Sequence, residues 1–228
     1  MLQHQTTVFI DESGTLPDIK DKVIIVAAVG TKQPVILRSL LGQVLKNSKL
    51  KKSGAELKFY TASDRAKTAF FEKIIKEDLE IFILIVEKMG RKIPDTPENF
   101  AIVCALLLTD VLSFYPQVLE VVFDRHFSRE QSISEFNLIL ENLLDKKIRL
   151  RHADSQKEKA VNAANMIAGA TLAKETGKNK EFFAMIREKI ITVKTVNWPE
   201  AKRHFFTNKN LPEPAQTPIL ARFGQSIL

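Results

Sequence analysis

Thr7-Val8-Phe9-Ile10-Asp11-Glu12-Ser13-Gly14 is the stretch from which the fold is read. Four β-branched or aromatic residues predict a buried strand, and the two carboxylates with the turn pair Ser13-Gly14 stop it. That reading places Asp11 at the carboxyl end of the first strand. In α/β sheets the loops leaving the strands open a crevice at that end, and the strand holds a side chain rigidly over it. The same two acids would also suit a solvated turn, so the choice rests on the remaining chain.

Outward from that strand, Val23 to Val29 is a continuous apolar run closed by Gly30, which predicts an interior strand hairpinned onto the first. Pro34 opens a helix with apolar positions at Leu37, Leu40, Leu41, Val44 and Leu45. The lysine cluster behind it, Lys46, Lys49, Lys51 and Lys52, reads as a solvated loop. Glu56-Leu57-Lys58-Phe59 alternates polar and apolar, predicting a short strand or edge segment with Glu56 and Lys58 on one side. Thr61 or Ser63 caps a helix with Ala66, Phe70 and Ile74 four apart, and a wholly apolar strand follows from Ile81 to Val86.

Phe100 to Leu112 is apolar nearly all round and predicts a helix deep in the core, with Cys104 as a structural thiol. Val118 to Phe123 is a strand ending in Asp124-Arg125-His126, the second strand-terminal acid. Ser128 with Gln131 forms a capping-box pattern for a helix through Leu144, and Ile148, Leu150 and His152 alternate along a basic strand beside Arg149 and Arg151. Asp154-Ser155 caps a helix expected over 156 to 175, crowded with small residues, on which Asn162 and Asn165 share a face. A helix from Glu181 to Glu188, a strand from Ile190 to Val196, and an irregular proline-punctuated tail from Trp198 complete the chain. The expected organisation is one three-layer α/β domain with a mixed central sheet, residues 1–196, and a C-terminal extension, 197–228, packing on it or reaching from it.

The chain has 228 residues, 45% of them hydrophobic, which is ample for one sizeable core. The longest apolar stretch, Ala101 to Leu108, falls short of the roughly eighteen residues of a membrane span, so no membrane partner is expected. The N-terminus lacks a basic region followed by an apolar one, and the single cysteine excludes an internal disulfide. Both fit a cytoplasmic protein. A formal net charge of +7 favours an anionic partner such as nucleic acid. Glycine-rich phosphate loops, nucleotide fingerprints and serine-histidine-acid orders are missing, so a P-loop nucleotidase or serine hydrolase finds no support.

Asp11, Asp124 and Glu56 are therefore candidates to converge at one end of the sheet. Clustered carboxylates repel one another, and a divalent cation is the usual compensation. Oxygen-only donors suit Mg2+ or Mn2+. Two such ions, roughly 3.5–4 Å apart, can activate water and stabilise the leaving oxygen in phosphodiester cleavage. Lys58, Arg125 and His126 flank these acids as candidate nucleic-acid contacts, with surface ion pairing as the plainer alternative for Lys58.

Phe9-Ile10-Asp11-Glu12-Ser13-Gly14, Glu56-Leu57-Lys58, Phe123-Asp124, and Ser155 followed by the small-residue helix ending Met166-Ile167-Ala168-Gly169 together resemble the domain-of-unknown-function 3800 family. The resemblance runs from residue 7 to about 175. It implies a ribonuclease H-like fold, in which acids from the first strand, a later central strand and a late helix bind two metal ions for nucleic-acid hydrolysis. The family's late helix usually reads Gln-x-x-Asp, whereas this chain has Asn162 and Asn165 at the matching positions. An amide oxygen can coordinate a metal but brings no charge, which implies weaker affinity and activity.

Three functional expectations follow. The first is a metal-dependent nuclease with Asp11, Glu56 and Asp124 as ligands, Glu12 as a further ligand or a supporting group, and Asn165 as a weakened ligand. The second is a catalytically inactive nucleic-acid-binding module. The third is a structural or partner-binding protein whose acids form turns.

Overall fold

A computed structural model describes residues 5–47 and 56–206. The strands are β1 (Thr6–Ser13), β2 (Val23–Thr31), β3 (Glu80–Glu87), β4 (Val118–Asp124), β5 (Leu150–Ala153) and β6 (Ile190–Asn197). The helices are α1 (Pro34–Asn47), α2 (Asp64–Ile74), α3 (Pro97–Phe114), α4 (Glu130–Leu144), α5 (Val161–Glu175), α6 (Glu181–Met185) and α7 (Trp198–Phe206). The strands form one six-stranded sheet in the order β5-β4-β1-β2-β3-β6. β1, β2 and β3 make an antiparallel meander, while β4 adds parallel to β1, β5 parallel to β4, and β6 parallel to β3. This is a three-layer α/β domain with a mixed central sheet.

The central strands are buried on both faces, which is why β2 and β3 read as unbroken apolar runs. Phe9, Ile25, Ala27, Val29, Ile81, Ile83 and Val122 face a layer built from α1, α2, α5 and α6. Val8, Ile10, Val26, Leu84, Val121 and Phe123 face a second layer of α3, α4 and α7. Alternation along each strand thus supplies two cores, one on each side of the sheet.

Several elements differ from the sequence expectations for identifiable reasons. Glu56-Leu57-Lys58-Phe59 joins no strand, although its alternation survives: Leu57 and Phe59 plug the first core while Glu56 and Lys58 turn outward. The segment packs on α5 instead, with the Phe59 N–H donating to Asn165 Oδ1 and the Phe59 side chain against Gly169. α5 begins at Val161 rather than 156, because Asp154 Oδ1 accepts from the Gln156 backbone N–H and closes a turn there. α4 starts after Arg129 with no side-chain cap, so the Ser128–Gln131 box is not formed.

The C-terminal extension is not irregular at its start, because Trp198, Ala201 and Phe205 of α7 are buried in the second core. Lys49, Lys51 and Lys52, together with the tail holding Pro212, Pro214 and Pro218, lie outside the described residues. α3 is also longer than its apolar centre suggested: its 18 residues are long and apolar enough to cross a membrane by length and composition. Here Phe100 to Leu108 are buried against the sheet inside the domain.

The small residues of α5 let it approach the sheet and the 56–59 segment closely. A Cβ on Gly169 would lie 2.3 Å from Phe59 Cβ, an atom that cannot move without its backbone. We therefore expect Gly169→Ala to cost about 1–3 kcal/mol through overpacking, lowering the thermal midpoint by several degrees. Gly42→Ala in α1, where no atom lies within 4 Å, should leave the midpoint unchanged or raise it. Equal effects of the two substitutions in a thermal melt would show that the Phe59 contact does not constrain α5.

Candidate metal centre

The site begins where two parallel strands part. β1 and β4 are paired from Thr6–Val118 up to Ile10–Phe123, and the next residues are Asp11 and Asp124. Phe9 and Val122 face the α1/α2/α5 layer, so by alternation Asp11 and Asp124 face it too. Neighbouring strands lie about 4.8 Å apart, which brings the two carboxylates together at one notch in the sheet. The expectation that Asp11 ends its strand needs correction. β1 continues through Glu12 and Ser13 against Val26 and Ile25 of β2, and the chain opens only on the β4 side.

Asp11 is 5% exposed. Its Oδ1 accepts from the Glu12 backbone N–H at 2.7 Å, and its Oδ2 is buried with no hydrogen-bond partner among the described residues. Burial, then the neighbouring Glu12 and Asp124 charges, push its carboxyl well above the usual range, against the Glu12 N–H and the Asn165 amide, which act downward. Asp124 is also raised, first by burial and then by Glu12 and Glu56, with the Arg125 N–H and the Ser155 hydroxyl opposing. Two desolvated acids whose charged forms disfavour each other are thus held side by side.

Glu56 comes up from the irregular segment as the third acid. The Ser155 hydroxyl donates to its Oε1 at 2.6 Å and Lys58 Nζ lies 3.2 Å from its Oε2, so both oxygens are engaged. Burial works against a charge on Lys58, but Glu56, Asp124 and Asp11 together hold its pKa up. Lys58 therefore sits over the acids as a counterion, half exposed at 50%.

Asn165 reaches the site from α5, where its Oδ1 accepts from the Phe59 N–H at 3.2 Å and its amide acts to lower the Asp11 pKa. In this arrangement its oxygen is committed to the Phe59 backbone rather than turned to a metal. Asn162 is fully buried, donates to the Ser155 carbonyl at 3.0 Å, and has an Oδ1 without a partner among the described residues. Glu158 does not join the cluster, because Arg38 binds it through Nε and Nη2 at 2.7 and 2.8 Å. Arg151 pairs with Glu120 and Glu158, while Arg149 stays exposed at the sheet edge, 3.9 Å from Glu120.

Glu12 and His126 form a separate unit on the opposite face. His126 Nδ1 lies 2.8 Å from Glu12 Oε1 and its Nε2 lies 2.8 Å from Asp95 Oδ1, while its ring stacks on Phe100 at 3.9 Å. Glu12 is consequently committed to an imidazole and lends the acid pair only its field. His126, clamped between two carboxylates, is not presented as a phosphate contact; Arg125 beside it is exposed. The His126 role in tying β1 to α3 and to the loop at Asp95 was not readable from the sequence, since nothing in local spacing marks Asp95.

The donor chemistry of the notch fits a hard divalent cation, for which one or two carboxylates completed by water suffice for Mg2+. Asp11 Oδ2 is unpartnered and Asp124 adjoins it. A three-ligand cage is not formed as the side chains stand: among the described residues no three His, Cys, Asp or Glu groups surround one point.

Two outcomes follow. At neutral pH the folded protein carries the penalty of a buried Asp11 charge, because its folded pKa lies above its unfolded one. Asp11→Asn should accordingly raise the thermal midpoint of the metal-free protein by a few degrees, corresponding to about 1 kcal/mol or more; a lower midpoint would contradict the electrostatic account. For His126, burial alone would lower the pKa, but Glu12 and Asp95 raise it to about 9. Its contribution is complete below its unfolded pKa of about 6.5 and disappears as pH rises through 9, amounting to about 3 kcal/mol at most. The stability difference between the wild type and His126→Gln, followed by urea unfolding, should narrow over that interval and stay constant below it.

No family model matches the chain, and no curated protein matches it. Among solved structures, ribonuclease HII in its complex with PCNA from Archaeoglobus fulgidus is similar over 98% of each chain, at 17% identity and a TM-score of 0.49. Ribonuclease H2 from Pyrococcus horikoshii OT3 is similar over 82% of each chain, at 16% identity and a TM-score of 0.42. Likeness at this level bears on neither the chemistry nor the partners of this chain.

Proposed function

We propose that this protein is a divalent-metal-dependent phosphodiester hydrolase acting on nucleic acid, within the domain-of-unknown-function 3800 family. The observation that carries the reading is the Asp11–Asp124 pair: two acids on adjacent parallel strands, facing one layer, desolvated together, with Asp11 Oδ2 unpartnered. Asp11 and Asp124 would hold the cation, Mg2+ or Mn2+. Bound there, it would supply Lewis acidity toward a phosphoryl oxygen and a water of lowered pKa.

The chain's own groups support that role. The Glu12 N–H orients the Asp11 carboxylate, and Ser155 fixes Glu56 beside Asp124. Lys58 places a positive charge above the acids, where it can meet a phosphate while the carboxylates remain ionised. The net charge of +7 favours the approach of a polyanion.

A specific observation favours a second reading, a nucleic-acid-binding module without catalysis. Asn165 spends its oxygen on the Phe59 N–H, and Glu56 spends both of its oxygens on Ser155 and Lys58. Only two carboxylates then face an ion. The test is direct. Under the first reading, Mn2+ raises the thermal midpoint of the wild type but not of Asp11→Asn or Asp124→Asn, and either substitution lowers oligonucleotide cleavage at least 100-fold. Asn165→Asp should tighten Mn2+ binding measured by calorimetry while destabilising the metal-free protein. If Mn2+ binds no tighter to the wild type than to Asp11→Asn and no strand is cut, the hydrolase reading fails.

A further inference from the structure

Past Asp11, on the same face of β1, Ser13 leads into a groove of about 1110 Å³ between the turn after β1 and the end of α5. The groove's first lining residue on this side is Gly14, three residues past Asp11, roughly 10 Å along the chain from the acid pair. Tyr60 stands in its wall, 54% exposed. Phe59 buttresses the Tyr60 ring edge-on at 5.8 Å, and Lys178 Nζ lies 5.8 Å from its centroid.

Three exposed lysines line the same groove, Lys20, Lys22 and Lys178, and among the described residues none is ion-paired with a carboxylate. Two of the acids in the wall are already engaged: Asp21 accepts from Thr15 through its N–H and hydroxyl, and Glu175 pairs with Lys174 at 2.6 Å. Lys88 is fully buried and donates to the Thr15 and Asp18 carbonyls, so the turn carrying Lys20 and Lys22 is anchored to β3. Gly14, at φ +90, is what lets the chain turn into that wall: a Cβ there would lie 2.8 Å from the Val23 carbonyl oxygen.

An exposed aromatic face beside unpaired lysines is the combination that binds single strands, with a base on the ring and phosphates on the ammonium groups. A duplex keeps its bases stacked and has no use for such a ring. We propose that this groove, with Tyr60 as base platform and Lys20, Lys22 and Lys178 as phosphate contacts, holds a single-stranded segment of nucleic acid leading to the acid pair. The inference rests on the nucleic-acid reading above and adds to it the strandedness of the ligand and the path it takes.

The test is fluorescence anisotropy with a labelled single-stranded oligonucleotide of about twelve nucleotides, in EDTA so that no cleavage intervenes. Tyr60→Ala should weaken binding on the order of 10-fold, with Tyr60→Phe restoring it, because stacking needs the ring and not the hydroxyl. Replacing Lys20, Lys22 and Lys178 with Ala should lower the slope of log affinity against log salt by about two. Thermal midpoints equal to the wild type would confirm that these surface changes leave the fold intact.

The inference is overturned if the wild type binds the oligonucleotide and Tyr60→Ala binds it equally well, or if a blunt duplex loses as much affinity as the single strand. It is overturned also if the wild type does not bind the oligonucleotide. Failure of the hydrolase reading looks different: no Mn2+-dependent stabilisation and no cleavage, with the Tyr60 effect on binding still present.

Discussion

A β-strand sends consecutive side chains to opposite faces of its sheet, and in this protein that constraint separates Asp11 from Glu12. Asp11 turns toward the layer of α5 and meets Asp124, which β4 presents on the same side. Glu12 turns toward α3 and is bound by His126. Two adjacent acids therefore do unlike work. One is left desolvated beside a like charge, while the other is neutralised in a clamp that fastens β1 to the layer behind it. The acid pair costs stability in the absence of a cation, and the double core and the His126 clamp offset that cost on the same strand.

The third wall of the notch depends on close approach. Gly169 admits Phe59 against α5, and the Phe59 N–H takes the oxygen of Asn165. The same packing brings Glu56 to Ser155 and Lys58 over the acids. The local chemistry of an amide at this position is thus governed by a backbone group 106 residues away in sequence. A carboxylate at 165 would lose nothing at the Phe59 N–H but would add another negative charge beside two desolvated acids, which a cation would relieve.

Parts of this architecture were legible because they are local. Apolar runs ended by turn residues mark β1, β2, β3 and β4, and helical spacing with Ser63 marks α2, whose hydroxyl accepts from the Ala66 N–H as expected. The misread elements share a cause: local signals were overridden by tertiary partners. Glu56 to Phe59 alternates like a strand but packs on α5 through Asn165 and Gly169, Asp154 forms a turn where a helix start was expected, and the tail after Trp198 is helical because its apolar face has the second core to cover.

What the sequence determined by itself was the fold class and the identity of the acids, since periodicity and strand-ending carboxylates are properties of short segments. Tertiary structure alone decided which of those acids share a face, that Glu12 is claimed by His126, itself held by Asp95, that the Asn165 oxygen is taken by the Phe59 N–H, and that Tyr60 stands open beside three lysines. The reason is physical. Burial, charge coupling and hydrogen-bond direction are set by atoms that become neighbours only when distant segments pack, and no spacing along the chain encodes them.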